Sequence, residues 1–142
     1  MPETPAALRS KPVVTAFLRY RGRVLLVRRS GRVGSYQGRW SAISGYLEDP
    51  DPLQQALREI REETGLDTEV LRLRARAEPL EVPAPELGIC WMVHPFLFEL
   101  DDPAGIRLDW ENTELRWVHP SDLAGMTTVP ALAEALASVN PD

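Results

Sequence analysis

The chain has 142 residues, of which 44% are hydrophobic and 26% charged, which is the size and composition of one globular domain. The net charge of −5 and the scattered basic residues exclude the basic stripe that follows a nucleic acid backbone, so long nucleic acid is not an expected partner. One cysteine excludes an internal disulfide, and the lack of a long apolar run or a leading apolar stretch predicts a cytoplasmic protein without a membrane partner.

The first part of the chain predicts a β-hairpin followed by a loop. Val13–Tyr20 and Val24–Val27 are apolar, β-favouring runs, and Arg21-Gly22-Arg23 between them is typical of a hairpin turn. Three glycines in Ser30–Gly38 indicate a loop. The other segments expected here are loose ends at Met1–Ser10 and Val139–Asp142, a short strand at Trp40–Ser44 and an acidic turn at Gly45–Asp51.

A helix is predicted over Pro52–Thr64 because both of its ends carry strong signals. Asp51 is suited to accept a hydrogen bond from the first turn, Pro52 to the first helical position, and Gly65 to the left-handed residue that closes a helix. Apolar or small residues recur with helical spacing on one side, which predicts a face packed against a core. They are Leu53, Ala56, Leu57, Ile60 and Thr64.

The remaining segments predict more strands than helices. Thr68–Ala77 alternates as a strand does, whereas three prolines in Glu78–Leu87 indicate a loop. Ile89–Leu100 predicts a long strand that is bulged or at a sheet edge near Pro95, because proline cannot donate a ladder hydrogen bond. The last expected elements are a loop at Asp101–Trp110, a strand at Glu114–Val118 and short helices at Ser121–Gly125 and Pro130–Ser138. Together they predict an α+β fold with helices packed on a mixed sheet.

Three carboxylates gather on one flank of the predicted helix. At about 100° per residue, Glu59, Glu62 and Glu63 point into one sector beside the apolar stripe. Carboxylates so close repel each other, and their clustering becomes favourable when a hard divalent cation lies among them. Arg58 stands one turn before Glu62 and is placed to hold that carboxylate. The alternative interpretation is a solvated helix face with Glu–Arg pairs, which the bare pattern of acids does not exclude.

The segment Arg58-Glu59-Ile60-Arg61-Glu62-Glu63-Thr64-Gly65-Leu66 resembles the second half of the Nudix box, Gly-x5-Glu-x7-Arg-Glu-U-x-Glu-Glu-x-Gly-U, where U is a bulky aliphatic residue. Every specified position of that half is matched in register. The resemblance to the Nudix (MutT-like) hydrolase family implies a Nudix-like α/β/α sandwich with a mixed β-sheet, formed by a single domain over residues 1–142 with an ordered core at 11–138. It also implies Mg²⁺-dependent hydrolysis, with Mn²⁺ as an alternative ion, of a phosphoanhydride bond in a nucleoside diphosphate linked to a group X.

The first half of the box departs from this pattern. Counting back from Arg58 places Pro50 where the first glutamate belongs and Ser44 where the glycine belongs. A one-residue deletion in the turn would restore Gly45 to the glycine position. The missing glutamate is then replaced by Asp49, by Asp51 or by no residue, and these three alternatives stay open.

The resemblance assigns roles to individual residues. It implies that the three helix glutamates bind the metal and that Arg58 orients Glu62 or Glu63. Glu111 is the expected fourth acid, at a spacing similar to that of MutT-like members, and Glu114 is the alternative. Either Glu63 or Glu111 is expected to accept the proton of the attacking water.

Four residues near the predicted hairpin are candidates for contact with a nucleotide substrate. Arg28, Arg29 and Arg39 lie where the hairpin and the following loop would reach phosphates, and the alternative is that they are ordinary surface charges. Trp40 is a candidate for stacking on a base, and the alternative is a core position, which is more common for a large aromatic residue in a strand.

The substrate and two rival functions stay open at the level of the sequence. Nucleoside triphosphates and nucleotide sugars such as ADP-ribose both agree with the resemblance. The altered first half of the box motivates a second interpretation, a catalytically weak Nudix-like domain that binds a nucleotide or acts as a sensor. A small α+β interaction domain with an acidic surface helix is the third. A homodimer is expected only by analogy with relatives.

Overall fold

Eight strands and two α-helices make up residues 7–140, the part of the chain that the computed structural model describes. Residues 1–6 and 141–142, which belong to the two predicted loose ends, lie outside the described residues. The elements are β1 (Arg9–Tyr20), β2 (Arg23–Arg29), β3 (Trp40–Ser41), β4 (Ile43–Tyr46), α1 (Pro52–Thr64), β5 (Leu71–Arg76), β6 (Leu80–Ala84), β7 (Ile89–Leu100), β8 (Asn112–Val118) and α2 (Leu132–Val139). Arg9, Ser10 and Val139, predicted to be in loose ends, belong instead to β1 and α2.

The sheet is mixed, and its two longest strands, β1 and β7, run parallel to each other. β2 returns from β1 through a tight hairpin in which Arg21 and Gly22 both have positive φ, as the two-residue turn requires. β2 also pairs with β3 and β8, and β4 pairs with the first half of β1. On the side of β7 opposite β1, first β6 and then β5 pair with it along its length.

Each face of the sheet is covered by one helix, because alternate residues of the central strands point to opposite sides. Phe98 of β7 packs with Ile60 of α1 in one core, whereas its neighbour Leu97 packs with Leu136 of α2 in the other. All four side chains are almost completely buried. The two cores give the predicted layered arrangement of helix, mixed sheet and helix. Among residues 7–140, no helix has the length and apolarity needed to cross a membrane.

Helix α1 begins and ends where the sequence predicts. The Asp51 carboxylate accepts a 3.0 Å hydrogen bond from the amide of Leu53, and Pro52 occupies the first turn. Gly65 adopts the left-handed conformation with φ of 79° and donates its amide to Arg61 O at 2.8 Å. Because the apolar stripe of α1 faces the sheet, the neighbouring sector that carries the glutamates lies at the edge of the core.

One strand prediction is wrong and a second holds in part. Glu78–Leu87, predicted to be a loop, contains β6, which pairs with β7 alone among the described strands and therefore accommodates Pro83. β7, predicted to be bulged or at an edge near Pro95, pairs with β1 on one side and with β5 and β6 on the other. β5 stops pairing at Phe96 and β6 begins at Val93, so the ladder on this side is interrupted at the proline itself.

Other elements are predicted correctly in type but not in extent. The expected strand at Trp40–Ser44 is divided into β3 and β4, which pair with different partners. The expected strand at Thr68–Ala77 begins with a 3₁₀ turn at Thr68–Val70 and becomes extended only at Leu71. The short helix expected at Ser121–Gly125 is a 3₁₀ helix over Pro120–Gly125.

Candidate active site

A cleft of about 370 Å³ lies between α1, the strands β1, β6 and β7, and the loops before β3 and β8. One part of its lining is acidic and contains Glu48, Glu59, Glu62 and Glu111. Another part is apolar and aromatic and contains Val13, Tyr36, Tyr46, Val82, Trp91 and Val93. The fold thus brings two acids of α1 next to the loop acid Glu111, which is distant in sequence.

The Glu59 carboxyl lies directly against the backbone of Gly45 in β4. A β-carbon at residue 45 would come within 2.2 Å of the Glu59 carboxyl carbon, so only glycine leaves room for this carboxyl. From the other side, Glu59 Oε1 accepts a 2.9 Å hydrogen bond from Gln55 Nε2. This close approach agrees with a one-residue deletion in the turn, which puts Gly45 rather than Ser44 at the glycine position of the box.

Arg58 meets Asp49 and neither of the two acids predicted for it. Arg58 Nη2 lies 3.5 Å from Asp49 Oδ2, and no ion pair joins Arg58 to Glu62 or Glu63 within residues 7–140. The Asp51 carboxylate is occupied by the amide of Leu53 at the start of α1. Of the acids considered as substitutes for the missing glutamate, Asp49 is therefore the one that contacts the arginine of the box.

Glu63 is the most deeply buried of the helix acids. Asn112, also buried at the start of β8, donates its side-chain amide to Glu63 Oε1 at 3.1 Å. Within the described residues, Glu63 Oε2 is the one buried side-chain nitrogen or oxygen atom without a hydrogen-bond partner. A buried carboxylate oxygen left in this way is costly unless a proton or a cation meets it.

Glu111 and Arg29 lie together where β2 ends and β8 begins. The backbone carbonyl of Glu111 accepts a 2.7 Å hydrogen bond from the amide of Ser30, which fixes the loop acid beside the end of β2. Arg29 Nε donates to Ser35 O at 2.9 Å, and the arginine lines the cleft. Burial lowers the pKa of the Arg29 guanidinium, and the nearby charges of Glu63 and Glu111 oppose that change. Arg29 is thus a cation held close to the acids.

Burial and mutual repulsion raise the proton affinity of three acids of the site. Burial raises the pKa of Glu59 to about 7, and the charge of Glu62 adds to the rise. Burial also raises the pKa of Glu63 and of Glu111 above the ordinary carboxyl range, and neighbouring acids add to both. Such a set binds either protons or a metal cation more strongly than isolated carboxylates do.

The acids present oxygen ligands without forming a finished coordination shell. No three acidic, histidine or cysteine side chains within residues 7–140 already converge in metal-binding geometry. A donor set of carboxylate oxygens suits Mg²⁺, which keeps several waters and substrate phosphates in its shell and needs few protein ligands at once. The unpartnered Glu63 oxygen and the Glu59 carboxyl, for which Gly45 leaves room, fit such an ion. We expect these carboxylates to draw together when it binds.

Of the four candidate substrate residues, Arg29 alone lines the cleft. Arg28 pairs with Glu114 at 3.0 Å near the surface, which also keeps Glu114 away from the acids of α1. Arg39 stacks over an aromatic ring of the cleft wall but is exposed itself. Trp40 is buried in the core on the α2 side, so the core alternative applies to it and not base stacking.

Three aromatic residues form a wall of the cleft that the sequence did not reveal. Trp91 Nε1 donates a 3.0 Å hydrogen bond to the Tyr36 hydroxyl, and the Tyr46 ring lies 6.2 Å from the Trp91 ring at an angle of 34°. Tyr46 is 53% exposed, and Lys11 Nζ lies over its ring at 5.3 Å from the ring centre. These residues come from a loop and two strands far apart in sequence, and no local pattern links them. We call Tyr36, Tyr46 and Trp91 the aromatic wall.

Comparisons with known proteins agree with this arrangement. The family model described as NUDIX domain matches residues 9–139. The MutT protein of Methanosarcina mazei Go1 is 25% identical, with a TM-score of 0.70 and 88% of each chain covered. A MutT NUDIX hydrolase from Burkholderia pseudomallei is 22% identical, with a TM-score of 0.71 and 93% of this chain and 99% of that chain covered. An Ap4A hydrolase of C. elegans, solved as a binary complex, is 22% identical, with a TM-score of 0.71. The match covers 92% of this chain and 94% of that chain. No curated protein sequence matches the chain.

The fold and the acidic cleft define a small α+β hydrolase. Because the family match spans nearly the whole chain, the chain belongs to the Nudix family. Nudix hydrolases act in general on nucleoside diphosphates linked to a group X and generally use divalent metal ions. The predicted family, the α+β fold with a mixed sheet and the enzyme class are confirmed.

Proposed function

We propose that this protein is a Mg²⁺-dependent pyrophosphohydrolase that cleaves a phosphoanhydride bond in a nucleoside triphosphate or in a nucleotide sugar such as ADP-ribose. The observation that carries the proposal is the buried Glu63 oxygen without a partner, in a carboxylate set that opens on a cleft large enough for a nucleotide. In a surface helix with ordinary Glu–Arg pairs, these acids would be exposed and individually paired. Here Glu59 and Glu63 are buried together.

The four acids of the site share one expected task, and one of them has a second. Glu59, Glu62, Glu63 and Glu111 would hold the metal, which when bound supplies charge neutralisation to the phosphates. Glu63 or Glu111 accepts the proton of the attacking water, because a raised pKa brings a carboxylate closer to the basicity that this task requires. Arg58 acts through the turn that precedes α1 rather than on Glu62.

The rest of the cleft suits the phosphates and the base. A guanidinium such as that of Arg29 binds phosphate oxygens with its fork of donors. The aromatic wall offers flat faces on which a nucleobase stacks, an interaction that contributes about 1–3 kcal/mol per base. Because the Trp91 indole N–H is already bonded to Tyr36, it does not read the base edge. We therefore expect modest discrimination between bases.

The sensor interpretation rests on the altered first half of the Nudix box, and the structure gives it little support. Gly45 and Asp49 meet Glu59 and Arg58, so the shortened turn still contacts the helix that carries the acids. The remaining expectations stay predictions. They are a single domain over residues 1–142, a cytoplasmic location, no long nucleic acid or membrane partner, Mn²⁺ as an alternative ion and a homodimer.

The decisive test is a panel of nucleoside triphosphates, nucleotide sugars and dinucleoside polyphosphates, incubated with Mg²⁺, Mn²⁺ or EDTA. We expect release of phosphate or pyrophosphate, or formation of a nucleoside monophosphate, only when a divalent metal is present. Rates for nucleotides that differ only in the base should lie within about tenfold of each other, since the indole N–H of Trp91 is already bonded to Tyr36. Calorimetric binding without turnover would favour the sensor, and neither binding nor turnover would favour the interaction domain.

Gly45→Ala is expected to lower hydrolysis at least tenfold. The new β-carbon would overlap the Glu59 carboxyl and force this metal ligand away from its position. The matched control is Gly125→Ala, where an added β-carbon meets no heavy atom within 4 Å. Initial rates and thermal melts of both variants check this expectation. Equal rates for the two variants, with Gly45→Ala folded, would contradict the role given to Glu59.

A further inference from the structure

Gln55 is a fully buried polar residue on α1, only 1% exposed, and sequence reasoning did not single it out. A long amide side chain in a core is unfavourable unless its polar atoms find hydrogen-bond partners. Ala56 and Ile60, apolar residues of the same helix, are equally buried. The position thus holds a polar group where packing alone would favour an apolar one.

The two ends of the Gln55 amide contact two different parts of the site. Its Oε1 accepts hydrogen bonds from the backbone amides of Glu48, at 3.0 Å, and Asp49, at 2.9 Å. Its Nε2 donates to Glu59 Oε1 at 2.9 Å. The orientation of the amide follows from its partners, because two backbone N–H groups require an oxygen and a carboxylate requires a donor.

These hydrogen bonds connect the shortened turn before α1 to Glu59. Gln55 and Glu59 are one helical turn apart and therefore neighbours on the surface of α1. Gly45 confines the Glu59 carboxyl from one side, and Gln55 holds one of its oxygens from the other. Gln55 also holds the turn to the helix. The turn is one residue shorter than the box pattern, and the hydrogen bonds to Gln55 fix it in spite of that.

We propose that Gln55 is a positioning residue that aligns the Glu59 carboxylate for the divalent cation and fixes the turn at Glu48 and Asp49 beside it. The proposal rests on the proposed metal-dependent function of the same cleft. Groups that hydrogen-bond a metal ligand orient it, and their loss typically weakens metal affinity or activity about 10–100-fold.

Gln55→Met tests the proposal, because methionine has a similar length, favours helices and removes both sets of hydrogen bonds. The matched control is Gln54→Met, the same change at the exposed neighbouring position. Mn²⁺ binding without nucleotide should be about 10–100-fold weaker in Gln55→Met and within twofold of wild type in Gln54→Met. At saturating nucleotide, kcat should fall while KM changes little, and added metal should restore part of the rate. Equal Mn²⁺ affinities for the two folded variants would overturn the proposal.

A second measurement uses the unmodified protein and does not depend on the folding of a variant. The chain has three glutamines, Gln37, Gln54 and Gln55, so their side-chain NH₂ signals are easily assigned by NMR. Saturating Mg²⁺ should shift the Gln55 signals and leave those of Gln54 unmoved. Unmoved Gln55 signals in a protein that binds Mg²⁺ would overturn the positioning role alone. A wild type that binds no Mg²⁺ or Mn²⁺ would overturn the proposed function and this role together.

Discussion

Glu63→Gln is expected to lower kcat at least 100-fold and, at the same time, to stabilise the metal-free protein. The loss of rate follows from removing a charged metal ligand that is also a candidate general base. The gain in stability follows because an uncharged amide does not bear the cost of burial, or the repulsion by Glu111 and Glu59, that the Glu63 carboxylate bears.

Two measurements check this pair of effects. Steady-state hydrolysis gives kcat, and thermal unfolding in EDTA gives the change in Tm. Glu62→Gln should lose turnover too, but without the gain in stability, because Glu62 is exposed. Glu114→Gln is the control, since Glu114 pairs with Arg28 near the surface, where ion pairs contribute little. Near-normal turnover in Glu63→Gln would refute the role of Glu63 as metal ligand or general base. A Tm below that of the wild type in EDTA would refute the cost assigned to its buried carboxylate.

The metal-free protein is expected to lose stability as the pH rises from about 4.5 to 7. The pKa of Glu59 is about 7 in the folded protein and 4.5 without the fold, so in this interval the native state binds more protons than the unfolded state. Stability is therefore greatest below pH 4.5 for this group and falls until the pH passes the folded pKa.

Bound Mg²⁺ is expected to reverse this trend, because it takes the place of the protons and binds only the ionised carboxylates. Thermal melts at pH 5, 6, 7 and 8, in EDTA and in saturating Mg²⁺, measure both effects. The Mg²⁺-induced rise in Tm should grow with pH. Glu59→Gln should have a flatter dependence than wild type in EDTA, and this difference isolates the contribution of Glu59. Identical pH profiles for the two proteins would contradict the burial of an ionisable Glu59 at this site.

The sequence was most informative where the signal is local. Asp51 and Gly65 define the ends of α1 through hydrogen bonds within a few residues of the chain, and such bonds depend little on the rest of the fold. The sector formed by Glu59, Glu62 and Glu63 follows from helical geometry alone. These residues were therefore predicted together with the helix that carries them.

The parts that could not be predicted depend on contacts between distant segments. β6 forms despite its proline because β7 provides a partner on one side, and this pairing is not visible in residues 80–84 themselves. The partner of Arg58 is Asp49 because the turn folds back on α1, whereas helical spacing alone favoured Glu62. Asn112 reaches Glu63 across 49 positions of the chain.

The polar side chains that support the acids escaped notice for a related reason. Gln55 is an unremarkable residue on a helix until the backbone of the turn is placed against its oxygen. The aromatic wall likewise has no signature, because Tyr36, Tyr46 and Trp91 are isolated in sequence. Residues that bind a metal directly have a recognisable spacing, and residues that orient them are recognised only in three dimensions.

Helix α1 serves the core and the chemistry with the same thirteen residues. Ile60 lies in the apolar core while Glu59 and Glu63, its neighbours in the helix, face the acids of the cleft. Glu59 and Glu63 therefore cannot leave the cleft while α1 stays packed on the sheet. Denaturant or heat should abolish enzymatic turnover and helical structure in one cooperative transition, and an inactive but otherwise native form should not accumulate.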